Sequence, residues 1–534
     1  MTNPLLAFHF DMKRAMWTDA FMDAYADELA GMGFNAILYE VEDKFRFPHA
    51  PSAAHSEADD TGQLAARMAR LRKKGFEIIP MVQSLGHSEW ILTKPGFEKY
   101  RESPTHLDQF DPLSDEAREL VCGLIDDLVD TVHPEQYVHL GGDETWHLGK
   151  SDRCKPVRDE IGSGGLYLRH MLPIVEHVIR RGLRPILWAD IALNHPEIIN
   201  RFPRELVWMD WVYWSTDARV DRIRVWETSR ACTASELETL DAPGFNTHLK
   251  RFAVDARTAQ DGTMVGFPYT DMLRNAGFDV IVAPATRCHG DTMGMPRHAL
   301  HMPNCFWGAR RGREAGLGSC TTSWTVRHNH PIVNLPSALA AAHGHAIEGA
   351  FDLSAEVTRF VADRYGIDAT AFPEAFAQSE AVVPWSQSYE VVDALQPSLV
   401  KEPAAFGAWV AKQDEKPGQR AALAETLRTM RTGYEAARTV FSKARASAKR
   451  HADELDFWIE GVAHADFCAA VCIAALEDRL ADEAKSLIAQ LNGLREETRR
   501  LFSRTFRPAS TDYELTVRYA FHEGVLKQAR QTPR

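Results

Sequence analysis

The sequence predicts an α/β chain: a (β/α)8 TIM barrel over residues 1–350, followed by a mostly α-helical region over 351–534. Three observations predict it. Eight short apolar runs alternate with helical stretches through the first two thirds of the chain. Each run is apolar at nearly every position, which marks strands buried on both faces and therefore parallel strands covered by helices. After about residue 350 the β signals fade and long amphipathic helical patterns take over.

In order, LLAFHF (5–10) precedes a helical segment near 17–32, NAILYEV (35–41) one near 61–74, and FEIIPMVQ (76–83) one near 114–132. EQYVHLGG (135–142) precedes LYLRHMLPIVEHVIRRG (166–182), and RPILWAD (184–190) and ELVWMDWVYW (205–214) follow. FDVIVAPA (278–285) leads into a helix through about 315, and LGSCTTSW (317–324) into NLPSALAAAHGHA (334–346). Eight βα units of this kind, with long insertions, read as a closed barrel. A doubly wound open sheet is the alternative, but no GxGxxG follows the first strand. Residues 52–62 read as a polar loop. PWSQSYEVVDALQPSLVKEP (384–403) reads as a connector to the helices of 420–505, which pack on the barrel or form a homodimer interface.

The composition narrows the function. The chain has 534 residues, 45% hydrophobic and 25% charged, with a net charge of −13. That balance argues against a nucleic-acid backbone or an anionic membrane as partner and favours a small neutral or weakly charged ligand. MTNPLLAFHFDMKR has neither a basic n-region nor a long apolar h-region, so no signal peptide is expected. No run is expected to reach the length of a membrane span. The eight cysteines are scattered without a CxxC pattern, and reduced thiols in a cytoplasm are the expectation.

One stretch asks for chemistry: YVHLGGDETWHLG (137–149), where an apolar strand meets two glycines, then Asp143 and Glu144. Enclosed neighbouring acids raise each other's pKa and cost desolvation, so folding gains nothing obvious from them. The C-terminal ends of barrel strands face the active site, and this pair ends the fourth strand. Gly141 and Gly142 permit the bend that lets both acids serve one pocket, with Trp146 close behind. The other reading is a solvated loop. The fifth, sixth and eighth strands end in Trp188, in Trp208, Trp211, Tyr213 and Trp214, and in Trp324. By alternation Met209, Trp211 and Tyr213 share one face, and Trp208, Asp210 and Val212 the other. Tryptophans around an acid pair suit a sugar ring, with apolar faces for stacking and acids for hydroxyls; core filling is the competing reading. Arg14, just past the first strand with His9 and Asp11, could clamp hydroxyls or pair with Asp11. His87, ending the third strand, supports the acids or satisfies a buried bond. The acids of EVEDKF (40–45) read as solvated or paired with Lys44 and Arg46.

HLGGDE (139–144) resembles the H-x-G-G-D-E signature of glycoside hydrolase family 20, the exo-β-N-acetylhexosaminidases. DMKR (11–14) is similar to the family's D-x-x-R, GH (86–87) to its Gly-His, and ILWAD and TTSW to its tryptophan-bearing strands. LYEVEDKF is similar to the Y-x-E-D-x-F of a bacterial branch with a helical C-terminal region. The resemblance covers roughly 5–325. It implies retaining hydrolysis assisted by the substrate's own 2-acetamido group, with no metal and no organic cofactor. Glu144 would be the acid and then the base. Asp143 would orient the acetamido N–H, stay ionised and keep Glu144 protonated. Arg14, His87, Trp188, Trp211 and Trp324 would contact or support the sugar. The family's Tyr-x-Asp on the seventh strand is missing from APATRCHGD (283–291), and its acid after the eighth-strand Trp is Val326 here. Tyr213 is the candidate acetamido contact, and Asp210, Arg287 and His289 the candidate hydroxyl contacts; a shift from GlcNAc toward GalNAc is consistent with these departures. Two other readings stand beside this one: a metal-dependent barrel hydrolase using His139, Asp143, Glu144 and His147, and a non-catalytic glycan-binding protein.

Overall fold

The computed structural model describes residues 4–393 and 399–531. Each apolar run forms a strand: β1 (Leu5–Asp11), β2 (Ala36–Glu40), β3 (Glu77–Met81), β4 (Tyr137–His139), β5 (Arg184–Trp188), β6 (Val207–Trp211), β7 (Asp279–Ala283) and β8 (Gly318–Thr321). They close a parallel barrel in which β1 pairs with both β2 and β8. At the closing seam Gly318 takes φ +123°, and a Cβ there would strike the Leu5 backbone, so only glycine lets the two strands meet.

Alternation along the strands separates two cores. Leu5, Ala7, Leu38, Ile79, Ile186, Met209 and Ile281 fill the barrel interior. Phe8, Phe10, Ile37, Ile78, Val138 and Leu187 pack outward against the helices. Toward the C-terminal ends the inward positions turn polar: His9, Asp11, Glu40, Gln83 and His139 are all buried. A buried polar layer is costly unless its groups bond each other, so its presence already locates the site.

The helices begin where the sequence supplies caps. Thr61–Lys73 starts from a reciprocal box between Asp60 and Gln63, and Asp115–Val132 from Ser114. The helix expected from 166 begins earlier, at Lys155, and is interrupted at Gly162 with φ +76°. Between β6 and β7 the insertion carries a hairpin of Arg222–Val225 with Arg230–Thr233.

The C-terminal helices pack on the barrel. Met16 N–H donates to Ser510 Oγ at 2.8 Å, and Trp17 bridges to Phe506. Buried Arg518 donates to Met293 O at 2.6 Å, His328 O at 2.8 Å and Glu460 at 2.9 Å. The expectation that no segment is apolar enough to span a membrane is corrected: Ala452–Leu476 passes by length and composition, with mean hydropathy 1.6 over 18 residues. Within the fold 78% of that stretch is buried, and a helix covered on every side is apolar all round. In the connector, Ser388–Val391 is helical and Val392 bridges to Val400; residues 394–398 of it lie outside the described residues.

Candidate active site

After β4 the chain turns through Gly141 at φ +64° and Gly142 at φ +86°. A Cβ on Gly142 would lie 2.7 Å from Tyr167 Oη. The turn leaves Asp143 buried and carries the Glu144 side chain into the mouth, 42% exposed. Glu144 itself takes φ +50°, a left-handed conformation costing about 1–2 kcal/mol for a side chain-bearing residue. Two hydrogen bonds hold it there. Its N–H donates to Asp190 Oδ2 at 3.0 Å, and its carbonyl accepts the Trp146 N–H at 2.7 Å. The glycines thus do what the sequence anticipated: they bring adjacent acids to one pocket at different depths.

His87, also left-handed at φ +52°, stands between the two acids. Its Nε2 lies 3.3 Å from Asp143 Oδ2 and 3.3 Å from Glu144 Oε2. Burial opposes its charge, but Asp143 and then Glu144 outweigh that and hold its pKa well above the ordinary imidazole value. Glu144 moves the opposite way. Burial pushes it up, while the His87 bond and charge, with Arg327 and Arg224, bring it below the usual carboxylate value. The expectation that Asp143 keeps Glu144 protonated is therefore corrected for the free site: His87 carries the proton. Asp190 is fully buried, and burial followed by the Asp143 charge raises its pKa well above the usual carboxylate value.

Beneath the pair lies a bonded floor. Glu40 takes His9 Nε2 at 3.0 Å, Gln83 Nε2 at 2.9 Å and Lys13 Nζ at 3.4 Å, and Lys13 also reaches Glu42 at 3.0 Å. His9, Asp11 and Glu40 offer donors within 4.8 Å of one another. They do not fit a metal: the Lys13 ammonium already neutralises Glu40, and both Asp11 oxygens accept backbone N–H groups, of Lys13 at 2.8 Å and Thr325 at 2.9 Å. The metal set read from the sequence does not converge either. His139 Nδ1 accepts the Gly141 N–H at 3.0 Å, and His147 stacks on His106 at 3.5 Å.

The aromatic wall is real, with Trp324 donating to Tyr213 Oη at 3.1 Å and Trp211 lying 4.9 Å from the Tyr213 ring. Trp188 is wholly buried against His139 and Trp324, and Trp226, from the insertion, backs Trp211 at 4.6 Å. Trp208 faces outward against Phe202 and Phe278, and Trp146 is exposed. Arg14 pairs with Glu89 at 2.7 Å rather than with Asp11.

Several expectations are corrected. Asp210 faces away from the barrel interior, buried and accepting the Thr270 hydroxyl at 2.8 Å, with burial raising its pKa to about 6. Arg287 is buried beneath the loops and bonds Asn329. Of the three proposed hydroxyl contacts only His289 is exposed, stacked on Tyr389 at 4.7 Å. Of the EVEDKF acids, Asp43 takes the expected pair with Lys44, and Lys94 as well, while Glu40 and Glu42 are neither solvated nor paired with Lys44 or Arg46 but buried around Lys13. Sequence reasoning missed the roles of Lys13, Glu89, Asp190, Arg224 and Arg327; only Asp190, two residues past Trp188 at a strand end, carried a positional signal.

The parallel barrel thus carries an acid pair, a bridging histidine and an aromatic wall at its C-terminal mouth. Residues 71–239 match the model of the glycosyl hydrolase family 20 catalytic domain. Hexosaminidase D of Bos taurus is 27% identical over 197 residues, covering 35% of this chain and 56% of that protein. Hexosaminidase D of Homo sapiens is also 27% identical, over 35% of this chain and 40% of its own length. The match thus spans about half of these relatives. The structure of a Flavobacterium johnsoniae chitobiase aligns over 92% of this chain and 74% of its own, at 12% identity and a TM-score of 0.47.

Proposed function

We propose that the chain is an exo-acting β-N-acetylhexosaminidase, hydrolysing terminal β-linked GlcNAc, GalNAc or both by the retaining, substrate-assisted route. The observation that carries this is the depth difference within one turn: a buried Asp143 beside an exposed Glu144, with His87 between them. Asp143 Oδ1 is buried without a hydrogen-bond partner, which suits an acceptor awaiting the acetamido N–H. Holding that group over the anomeric carbon lets its carbonyl oxygen attack and stabilises the positive oxazolinium. Tyr213 Oη, held by the Trp324 N–H and a bond with Thr322, is the candidate contact to the acetamido carbonyl. Trp211 and Trp324 offer faces to the ring.

Glu144 must donate a proton to the leaving oxygen, yet it is ionised in the free site. When substrate displaces water, the carboxylate loses solvation and its proton affinity rises. His87 is already hydrogen-bonded to it. Transfer gives neutral His87 and protonated Glu144, with the same total charge, so binding needs no proton from solution. Glu144 then takes a proton from the water that opens the oxazolinium.

The same reading assigns 1–350 to catalysis and 351–534 to the helical region, and infers cytoplasmic residence, supported by eight free thiols of which seven are buried. The test is p-nitrophenol release from the β-GlcNAc and β-GalNAc glycosides, with and without EDTA, for wild type and Glu144→Gln. EDTA-resistant turnover reduced by about 10²–10⁴ in the variant is expected. Turnover abolished by EDTA, or unchanged in Glu144→Gln, would sink the reading. The ratio of the two sugars assigns the epimer.

A further inference from the structure

The barrel does not build its mouth alone. The connector to the C-terminal helices crosses the rim and is anchored on both sides. On the helical side, Trp385 takes φ +65°, a left-handed conformation unfavourable for a residue with a side chain. Its ring is held there, stacked on Phe521 of the last helix at 4.9 Å and 5.6 Å from the Phe406 ring. On the barrel side, Ser386 O accepts the N–H of Met293, in the loop after β7, at 2.8 Å. Ser388 Oγ donates to the carbonyl of Val326, in the turn after β8, at 2.6 Å. Tyr389 comes next, its carbonyl accepting from Lys401 Nζ. Its ring stacks on His289 of the β7 loop, 4.7 Å away and 15° from parallel.

This much positioning ends in rings that the fold does not use. Tyr389 is half-buried and joins no hydrophobic core, and His289 is exposed. Burial lowers the His289 pKa, Arg327 and Arg297 lower it further, and the Glu144 charge opposes them. The neutral imidazole is favoured, so the pair offers aromatic surface rather than charge. Its place is set by the same neighbours. Glu144 acts through space on His289 and on Arg327, and Arg327 also feels Tyr389. The stack therefore borders Glu144, the outer acid, which hands its proton to the leaving oxygen. What lies beyond that oxygen is the leaving group.

We propose that Tyr389 and His289 form the leaving-group subsite, and that the leaving group is itself a sugar whose apolar face packs on these rings. The proposal rests on the hexosaminidase reading. It gives the C-terminal region a part in specificity through Tyr389, and it moves His289 from the hydroxyl contacts of the terminal sugar to the far side of the cleaved bond. Rings in a flat, rigid pair are suited to the C–H face of a pyranose, with hydroxyls left to solvent at the rim.

The test compares leaving groups with and without a ring. The substrates are the methyl β-glycoside of the preferred N-acetylhexosamine and disaccharides carrying the same sugar β-linked to GlcNAc or to galactose, with the released sugar measured by chromatography. Tyr389→Ala is expected to lower kcat/KM on the better disaccharide by about three- to tenfold, the value of one aromatic contact, and to leave the methyl glycoside within about twofold. Tyr389→Phe keeps the ring and should match wild type on both. An equal loss on the two kinds of substrate would make Tyr389 a structural residue and overturn the subsite. So would an unchanged rate on the disaccharides, or a wild-type enzyme that cleaves the methyl or p-nitrophenyl glycoside but neither disaccharide; all three leave the hexosaminidase reading intact. Turnover of no glycoside at all removes that reading, and the subsite with it. Should Tyr389→Ala fail to fold, His289→Ala, at an exposed position, must show the same selective loss.

Discussion

Asp190→Ala should weaken the proposed hydrolysis without touching Asp143 or Glu144. Asp190 lies outside the family signature, 46 residues from Glu144 in sequence, yet its Oδ2 accepts the Glu144 N–H at 3.0 Å. Glu144 at φ +50° is held against about 1–2 kcal/mol of backbone strain. Removing the acceptor deletes a bond worth about 0.5–1.5 kcal/mol net and leaves a donor seeking a partner. The productive conformer therefore falls by about 1–2 kcal/mol, or roughly five- to thirtyfold in population. Steady-state kinetics on the p-nitrophenyl glycosides should show that factor in kcat with KM little changed, because the ring contacts are elsewhere. Asp190→Asn separates position from charge. Since burial and the Asp143 charge favour the protonated form of Asp190, the amide oxygen is a near-isosteric acceptor and should restore activity to within about threefold. The amide should also stabilise the fold at neutral pH. The native pKa lies above the unfolded value of about 3.9, so the native state binds more protons and wild-type stability falls as pH rises beyond that point. The gain in Tm of Asp190→Asn should therefore close toward pH 4. Asp190→Ala within twofold of wild type, or Asp190→Asn as inactive as Asp190→Ala, would refute the reasoning.

Other outcomes follow from the same geometry. His87→Gln should lower kcat by about 10²-fold, since it removes the nearest proton, and move the pH–rate profile, which the pH dependence of kcat would show. His87 gains stability from its raised native pKa, a contribution full below about pH 6.5 and lost as pH rises through that pKa; thermal melts from pH 5 to 10 should show the wild-type advantage over His87→Gln shrinking in that direction. Gly142→Ala should destabilise by about 1–3 kcal/mol, read by denaturant unfolding, because the added Cβ meets Tyr167 Oη at 2.7 Å and the φ of +86° is unsuited to alanine. Arg518→Ala should cost about 3–5 kcal/mol by the same measurement, leaving Glu460 buried and uncompensated.

The barrel was legible because burial on both faces writes each strand as an apolar run, and no polar surface interrupts the pattern. The acid pair was legible because glycines at 141 and 142 announce a bend. Alternation along β6 turned Trp211 and Tyr213 inward, as observed, and the same alternation turns Asp210 outward; its parity, rather than its proximity, was the reliable signal. What stayed hidden depends on pairing. That Lys13 belongs to Glu40 and Glu42, and that Arg14 belongs to Glu89, are properties of three-dimensional neighbours. The protonation state of Glu144 was misread for the same reason: the sequence shows the adjacent aspartate, while the bridging imidazole arrives from another strand.

The clasp between the first strand's loop and the last helix has a temporal meaning. Met16 and Ser510 are 494 residues apart, and Arg518 reaches back to the loops after β7 and β8. At about 5–20 residues per second, a ribosome takes on the order of half a minute to a minute and a half to deliver the second partner after the first. During that interval β1 and the strands after it must wait without the helix that pins their loops. Competence therefore arrives late and all at once, when the final helix docks, and a chain halted near residue 500 would hold both acids and yet lack the buckle that fastens the mouth around them.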